Sequence, residues 1–242
     1  MTERGTILIT GAGRRVGLHV AHSLLRDGFG VIAHYRSESD GVAALRAAGA
    51  TAIQADLTRS EELRRLLATV TGKDEPLRGI IHNASLFETT REDVDEALAQ
   101  YERFVAVHMR APWLINTILA PLLAGENDDP ADIIHITDIF ADNPNPAFDL
   151  YCSTKAGLQN LTLSFAKRLA PRVKVNAIQP GPVLFKDTHT AAARERVLEE
   201  TLLGREGGAE AIYRAVKALL DNPYITGASL PVDGGRRLAQ RV

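Results

Sequence analysis

Residues 6–17 read TILITGAGRRVG, and this stretch decides the fold. A short apolar run rich in β-branched residues stops at Gly11, and a helical spacing of apolar residues begins at Val16. Glycines in the turn between a first strand and a first helix let backbone N–H groups approach a pyrophosphate, and the helix N-terminus adds a partial positive charge. The stretch therefore predicts a dinucleotide site at the start of a doubly wound α/β fold.

The alternation of strand and helix continues to the end of the chain. Parallel strands that are buried on both faces read as continuous apolar runs, and helical crossovers must connect them. The pattern predicts one α/β domain over 1–242, with a doubly wound parallel sheet and helices on both faces. Later strand-like runs, separated by helical spacing, lie at 29–35, 51–57, 78–85, 132–137, 173–182 and 226–235.

Two segments depart from the regular pattern. A long helical stretch from 91 to 124 is expected to break near Pro112, because proline lacks the N–H that a helix interior needs. The segment 182–205 follows the sixth strand and interrupts the alternation. We expect it to be a substrate lid, since long connections at strand ends often carry function.

The composition excludes several classes of protein. The formal net charge is -2 and the charged residues, 24% of the chain, are of both signs and interspersed, so neither a nucleic acid nor an anionic membrane is an expected partner. Cys152 is the only cysteine, and no apolar stretch reaches the roughly 20 residues of a membrane helix. His19 and His22 lack a third nearby ligand, so no metal is expected. These features favour a cytoplasmic location.

The end of the second strand bears on the choice of coenzyme. The sequence there reads HYRS, without the carboxylate that would accept a hydrogen bond from a free ribose 2′-OH. Arg14 in the glycine turn, Arg36 and Ser37 suit a 2′-phosphate, which favours NADPH over NADH. Glu38 lies close in sequence to this strand end, so NADH stays a possible coenzyme. The alternative for the arginines is that they are exposed to solvent and bind no phosphate.

Three side chains form a candidate reaction centre. Tyr151 and Lys155 are four residues apart on a predicted helix, so they share a face. A nearby ammonium is expected to lower the pKa of a tyrosine, which makes the hydroxyl a usable proton donor. Asp138 ends the fifth strand thirteen residues before Tyr151. Taken alone, a tyrosine and a lysine at this spacing occur by chance in many chains.

The motifs together resemble the short-chain dehydrogenase/reductase family over essentially the whole length. TGAGRRVG, NAS at 83–85, YCSTK at 151–155, PGP at 180–182 and DGG at 233–235 occur in the family's order. The resemblance implies a Rossmann fold with seven strands, bound NADPH, Tyr151 as proton donor and Lys155 on the nicotinamide ribose. The predicted cofactor contacts are Gly11, Arg14, Arg15, Val16, Gly17, Tyr35, Arg36, Ser37, Asp56, Leu57, Asn83, Ala84, Tyr151, Lys155, Pro180 and Gly181.

Departures from the common family pattern point to a pterin substrate. Most members carry serine where this chain has Asp138, and glycine where it has Arg15. Both departures are similar to the pteridine reductases, among them the bacterial dihydromonapterin reductases. That resemblance implies that Phe87 stacks on the pterin and Ser85 bonds its edge. Hydride addition to a C=N bond leaves a nitrogen that needs a proton, which a partly protonated Asp138 can deliver.

The expected reaction is reduction of 7,8-dihydromonapterin, or of a related dihydropteridine or dihydrofolate, to the tetrahydro form. His108 stands where the family usually has an asparagine, so it is either part of a proton relay to Lys155 or a satisfied buried histidine. One rival function is reduction of a carbonyl, and another is a non-catalytic NADPH-binding sensor. The family resemblance also implies a homo-oligomer, a tetramer or dimer, in which the basic tail could bring Arg236 or Arg237 to a neighbouring subunit.

Overall fold

Seven parallel strands form one sheet in the order β3-β2-β1-β4-β5-β6-β7. The computed structural model describes residues 4–73, 75–123, 125, 129–185 and 189–239. The strand order reverses between β1 and β4, which is the switch point where ligands of doubly wound sheets bind. The predicted doubly wound, seven-stranded parallel Rossmann fold is confirmed. The strands are β1 (Thr6–Thr10), β2 (Gly30–Tyr35), β3 (Thr51–Gln54), β4 (Leu77–His82), β5 (Ala131–Ile136), β6 (Val173–Pro180) and β7 (Ser229–Val232).

Helices cover both faces of the sheet because successive strand side chains point to opposite sides. Along β1, Ile7 and Ile9 enter one core with α1 and α8, whereas Leu8 enters the other with α3, α5 and α6. Within the ranges described, no helix has both the length and the apolar content needed to cross a membrane. The helices are α1 (Arg15–Arg26), α2 (Asp40–Ala47), α3 (Ser60–Thr71), α4 (Val94–Val105), α5 (Ala111–Leu119), α6 (Asp149–Leu169), α7 (Ala191–Glu199) and α8 (Gly208–Asp221).

The expected break near Pro112 is a π-helical turn rather than an interruption. α4 passes into this wider turn at Ala106–Arg110, and α5 continues directly from it with Pro112 in its first turn. A proline removes one N–H and crowds the carbonyl four residues earlier, here that of His108. The wider turn accommodates the proline without ending the helix, and His108 lies within it, buried against α6.

A chain of hydrogen bonds runs through the core between the sheet and one helical layer. The carboxamide oxygen of Asn116 lies 2.7 Å from His82 Nε2, and its nitrogen lies 3.1 Å from His135 Nε2. His135 Nδ1 lies 2.8 Å from the hydroxyl of Thr162, which donates to the Leu158 carbonyl. Burial lowers the pKa of His82 to about 4 and holds the pKa of His135 well below 6.5. Both imidazole rings are therefore neutral at neutral pH. These hydrogen bonds give both side-chain ends of Asn116, both ring nitrogens of His135 and the Thr162 hydroxyl a partner in the core.

The buried His82 makes the stability of the fold sensitive to acid. Its pKa in the folded chain lies below the ordinary value of 6.5, so the unfolded chain binds a proton first as the pH falls. The stability that His82 contributes is therefore present above pH 6.5 and is lost as the pH falls towards 4. Between neutral pH and about pH 5, we expect wild type to lose about 2 kcal/mol more than His82→Gln.

Glutamine keeps an amide N–H for Asn116, so His82→Gln isolates the titration from the hydrogen bond. Urea unfolding at several pH values measures the difference. Identical pH dependence in the two proteins would contradict the prediction.

Candidate active site

A cleft of about 630 Å³ opens at the C-terminal ends of the strands, beside the switch point. Every residue predicted to contact cofactor or substrate lines this cleft, and of the predicted site residues His108 alone stands behind its wall. The cleft therefore brings together the glycine turn, the end of β2, the loop after β4 and the Tyr151–Lys155 face of α6.

The glycine turn is held so tightly that side chains would not fit. Gly11 has a positive φ of 69°, and a Cβ there would lie 2.8 Å from Ala84 Cα. A Cβ on Gly17 would lie 2.3 Å from the Gly11 carbonyl oxygen. The side-chain amide of Asn83 donates to the carbonyls of Thr10 and Gly11. Asn83, predicted as an adenosine contact, thus also fastens the turn to the end of β4.

His34 is a member of the site that sequence reasoning missed. Its Nδ1 accepts the Gly11 N–H at 3.1 Å, and its Nε2 lies 2.9 Å from the Ala55 carbonyl oxygen. Burial lowers the pKa of His34, so the neutral ring can accept on one side and donate on the other. The signal was a polar residue inside the apolar run of β2. This imidazole links the glycine turn to the ends of β2 and β3.

Arg15 connects the glycine turn to the predicted lid. Its φ of 53° is the left-handed conformation that glycine adopts easily, which explains why relatives can carry glycine there. Its guanidinium donates to the carbonyls of Leu184 and Phe185, at 2.7 and 3.2 Å. Part of the predicted lid 182–205, residues 186–188, lies outside the described residues. Residues 182–185, His189 and, from α7, Val197 line one side of the cleft.

Arg236 lies in the cleft of its own chain. Its guanidinium donates to the Val197 carbonyl and the Glu200 carboxylate, both at 2.6 Å, and the expectation that the basic tail brings Arg236 or Arg237 to a neighbouring subunit stays a prediction. These bonds hold α7 against the C-terminal turn. The positive charge also acts on Asp138 across the cleft.

Asp138 and Tyr151 form the polar centre of the cleft. The Tyr151 hydroxyl donates to Asp138 Oδ2 at 2.8 Å, and the Phe140 N–H donates to Oδ1 at 2.9 Å. The ammonium of Lys155 donates to the Ile136 carbonyl at 2.8 Å and lies 5.6 Å from the centre of the Tyr151 ring. The predicted trio is therefore assembled, with the carboxylate rather than the lysine bonded to the tyrosine.

Burial controls the protonation of these three groups. It raises the pKa of Asp138, although the hydrogen bonds and the charge of Lys155 oppose the shift. It raises the pKa of Tyr151 well above its ordinary value, and the charge of Asp138 adds to the rise. The expected lowering of the Tyr151 pKa by Lys155 is wrong for this arrangement, because burial and Asp138 dominate. Burial also lowers the pKa of Lys155 to about 8.

His108 positions the loop that follows β4. Its Nε2 accepts the Leu86 N–H at 3.2 Å and lies 3.0 Å from the Ser85 hydroxyl. Its Nδ1 therefore carries the proton and donates to the Thr154 hydroxyl at 2.8 Å. Thr154 in turn donates to the Tyr151 carbonyl. Burial holds the pKa of His108 well below 6.5, so the neutral ring links Ser85 to α6 rather than contacting Lys155.

Aromatic rings form one wall of the cleft, beside Tyr151. Phe87 stacks on Phe148, with ring centres 4.6 Å apart and planes inclined by 7°, and meets Tyr151 edge-on at 4.9 Å. Phe140 lies 6.2 Å beyond Phe148. Sequence reasoning found Phe87 but missed Phe148 and Phe140, which flank Asp138 and Tyr151 in the sequence. Together they make a surface suited to a flat ring.

The adenosine end of the cleft carries exposed positive charge. Arg14 and Arg36 are exposed at its rim with Ser37 beside them. Within the part of the chain that the structure describes, neither arginine forms an ion pair with a carboxylate. The pKa of Asp56 is lowered overall, because hydrogen bonds from Thr58 and the charges of Arg36 and Arg59 together outweigh the opposing effect of burial. No cluster of potential metal ligands occurs among the described residues.

These features define a nucleotide-binding reductase of the short-chain class, and comparison agrees. A family model described as enoyl-(acyl carrier protein) reductase matches residues 11–237. The chain belongs to the short-chain dehydrogenase/reductase family. It is 41% identical to a dihydromonapterin reductase of Enterobacter sp. (strain 638) over 96% of both chains. It is 36% identical to that of Escherichia coli O6:H1 (strain CFT073) over 98% of both.

Solved structures give the same picture. FolM alternative dihydrofolate reductase 1 from Brucella canis, complexed with NADP, superposes with a TM-score of 0.88 at 30% identity, covering 100% of this chain and 97% of that one. A short-chain dehydrogenase/reductase from Serratia marcescens BCRC 10948 gives 0.85 at 28% identity over 98% of both.

The bond between Tyr151 and Asp138 predicts how the carboxylate titrates. We expect the pKa of Asp138 to lie above 3.8, and Tyr151→Phe to raise it further, because the hydroxyl stabilises the ionised form. NMR titration of the aspartate carboxyl carbons measures both values. Tyr224→Phe, at a tyrosine that is 98% exposed, serves as control and should leave Asp138 unchanged. A lower pKa in Tyr151→Phe would contradict the geometry.

Proposed function

We propose that this protein is an NADPH-dependent reductase of a pterin C=N bond, acting on 7,8-dihydromonapterin or on a related dihydropteridine or dihydrofolate. The observation that carries the proposal is a carboxylic acid hydrogen-bonded to the tyrosine, 2.8 Å away, under an aromatic wall. A carbonyl reductase needs only a hydroxyl there to orient an oxygen. Both reactions end with a proton on the reduced atom, but a carboxyl group beside the tyrosine adds a second acid that can serve a pterin nitrogen.

The residues of the cleft fit NADPH. The glycine turn leaves room for a pyrophosphate where a Cβ on Gly11 or Gly17 would clash, and the turn opens α1 at its N-terminus. Arg14 and Arg36 suit the 2′-phosphate, and Lys155 suits the nicotinamide ribose. When bound, NADPH supplies the hydride. The similar structure from Brucella canis is a complex with NADP, which supports the same coenzyme.

The proton step belongs to Asp138 and Tyr151. Burial raises the pKa of Asp138, so this carboxylate takes up a proton from solvent more readily than an exposed aspartate does. The pKa of Tyr151 is too high for the phenolate to form by itself. A proton held by Asp138 can pass along their hydrogen bond, and either oxygen can present it to a substrate nitrogen. Lys155 keeps a positive charge beside the pair and favours the carboxylate afterwards.

Substrate placement falls to the loop after β4 and to the lid. Phe87 offers a flat surface beside Tyr151, and Ser85 offers a hydroxyl held by His108. We propose that 182–205 closes over the substrate, supported by the bonds of Arg15 and Arg236 to it. A cytoplasmic homo-oligomer is also proposed, supported by exposed apolar side chains on α4 and α5.

The direct test of the function compares substrates and variants side by side. NADPH oxidation is followed with dihydromonapterin, dihydrobiopterin, dihydrofolate and a short 3-oxoacyl thioester. We expect turnover of dihydropterins and a loss of about 100-fold in kcat for Asp138→Ser and for Tyr151→Phe, because each removes half of the proton path. NADPH affinity, measured by fluorescence, should change little in Asp138→Ser.

Other outcomes overturn the proposal in distinct ways. Reduction of the thioester alone, or a faster Asp138→Ser, would make the protein a carbonyl reductase. NADPH binding without turnover of any substrate would make it a sensor. Absence of NADPH binding would remove the coenzyme assignment.

A separate prediction concerns His108. His108→Asn shortens the side chain, so the bonds to Leu86 and Ser85 are lost while the fold of the turn before Pro112 is kept. We expect the KM for the dihydropterin to rise about tenfold, with NADPH affinity within about twofold of wild type. His22→Asn, on the partly exposed side of α1, is the control. A variant with a normal KM would show that His108 does not position Ser85.

A further inference from the structure

The segment after β2 places a carboxylate next to the site of coenzyme choice. Tyr35, Arg36 and Ser37 line the cleft, and Glu38 follows them at once. An ionised carboxylate at the end of β2 in a doubly wound fold accepts a hydrogen bond from a free ribose 2′-OH and repels a 2′-phosphate, and Glu38 lies three residues beyond Tyr35, where β2 ends. The charge of Glu38 therefore opposes the positive charges of Arg14 and Arg36, unless another group neutralises it.

Arg46 neutralises that carboxylate with a bidentate pair. Its two terminal nitrogens donate to Glu38 Oε2 at 2.9 Å and Oε1 at 2.8 Å. The Tyr35 hydroxyl also donates to Oε1, and Arg46 donates to that hydroxyl in turn. Both oxygens of Glu38 are thus occupied. These bonds, first those from Arg46, lower the pKa of Glu38 to about 2, so it carries a full negative charge that Arg46 balances.

The backbone fixes this pair beside the glycine turn. The Ser39 hydroxyl donates to the Gly13 carbonyl at 2.9 Å and also accepts the Val42 N–H that opens α2. Arg46 lies in the last turn of the same short helix. The loop that carries Glu38 is therefore fastened to the residue that precedes Arg14. Rotation of Glu38 towards the cleft requires that its bonds to Arg46 and to the Tyr35 hydroxyl break.

Resting on the proposed function, we propose that Arg46 sets the preference for NADPH over NADH without touching the coenzyme. It acts as a positioning residue that holds the Glu38 carboxylate out of the ribose site and cancels its charge. Arg14 and Arg36 are then left to attract the 2′-phosphate. The chain can thereby carry an acidic residue after β2 while the site for the ribose 2′-phosphate keeps its positive charge.

Direct binding measurements with the full chain test this role. Kd values for NADPH and NADH are measured by fluorescence for wild type and Arg46→Gln. We expect NADPH to bind about tenfold more weakly to Arg46→Gln, and NADH as well as or better than to wild type. The double variant Glu38→Gln/Arg46→Gln should restore the NADPH preference, because no carboxylate is left to release. Glu38→Gln alone should keep it.

Matched variants separate this role from a structural one. Arg214→Gln removes the same charge from an exposed pair with Glu210 and should change neither Kd. Arg46→Lys keeps the charge but loses the bidentate geometry, so it should fall between wild type and Arg46→Gln. It also provides the comparison if Arg46→Gln fails to fold, in which case full preference for NADPH in Arg46→Lys would overturn the proposal.

The remaining outcomes are equally decisive. An unchanged ratio of the two Kd values in Arg46→Gln, or a double variant that fails to regain the preference, would overturn the role of Arg46. Equal affinity of wild type for both coenzymes would do the same. A wild type that binds neither coenzyme would instead overturn the proposed function.

Discussion

The close approach of the glycine turn to the end of β4 is the constraint on which the cleft depends. Gly17 lies so near the Gly11 carbonyl that no side chain fits, and Asn83 fills the remaining space with an amide that binds the turn. This contact joins the ends of the first and fourth strands just beyond the residues that pair in the sheet. It brings the nucleotide end of the cleft into line with the loop that carries Ser85 and Phe87. A looser turn would separate the two halves of the site.

Burial then gives the reaction centre its chemistry. An aspartate, a tyrosine and a lysine stand within one partly enclosed space, and each is driven towards its neutral form. Asp138 and Lys155 limit each other's pKa shifts. The positive charge of Lys155 favours ionised Asp138, and the negative charge of Asp138 favours protonated Lys155. The outcome is a carboxyl group that is easier to protonate than in water and a tyrosine that serves as a donor.

Sequence reasoning reached the parts of the fold and site that local patterns encode. The alternation of strands and helices gave the sheet, and the spacing of Tyr151 and Lys155 gave the helix face with Asp138 at the nearby strand end. The contacts of His34 and Arg236 were out of reach, because each joins segments that are far apart in sequence. His108 was identified as a position, but its partners come from the loop after β4 and from α6. The Tyr151 pKa was misjudged because burial is a property of the folded chain.

The π-helical turn has a geometric consequence for the helices on either side of it. The turn holds one residue more than an α-helical turn, so α5 is rotated by about 100° from the orientation that an uninterrupted helix would give it. Phe104 on α4 can therefore face Tyr151 while Ile115 on α5 faces the sheet. The positions of the apolar residues in α5 are thus shifted by one residue relative to the helical repeat that α4 begins. Removing a single residue from the turn would bring the helices into phase and turn one of these faces away from its partner.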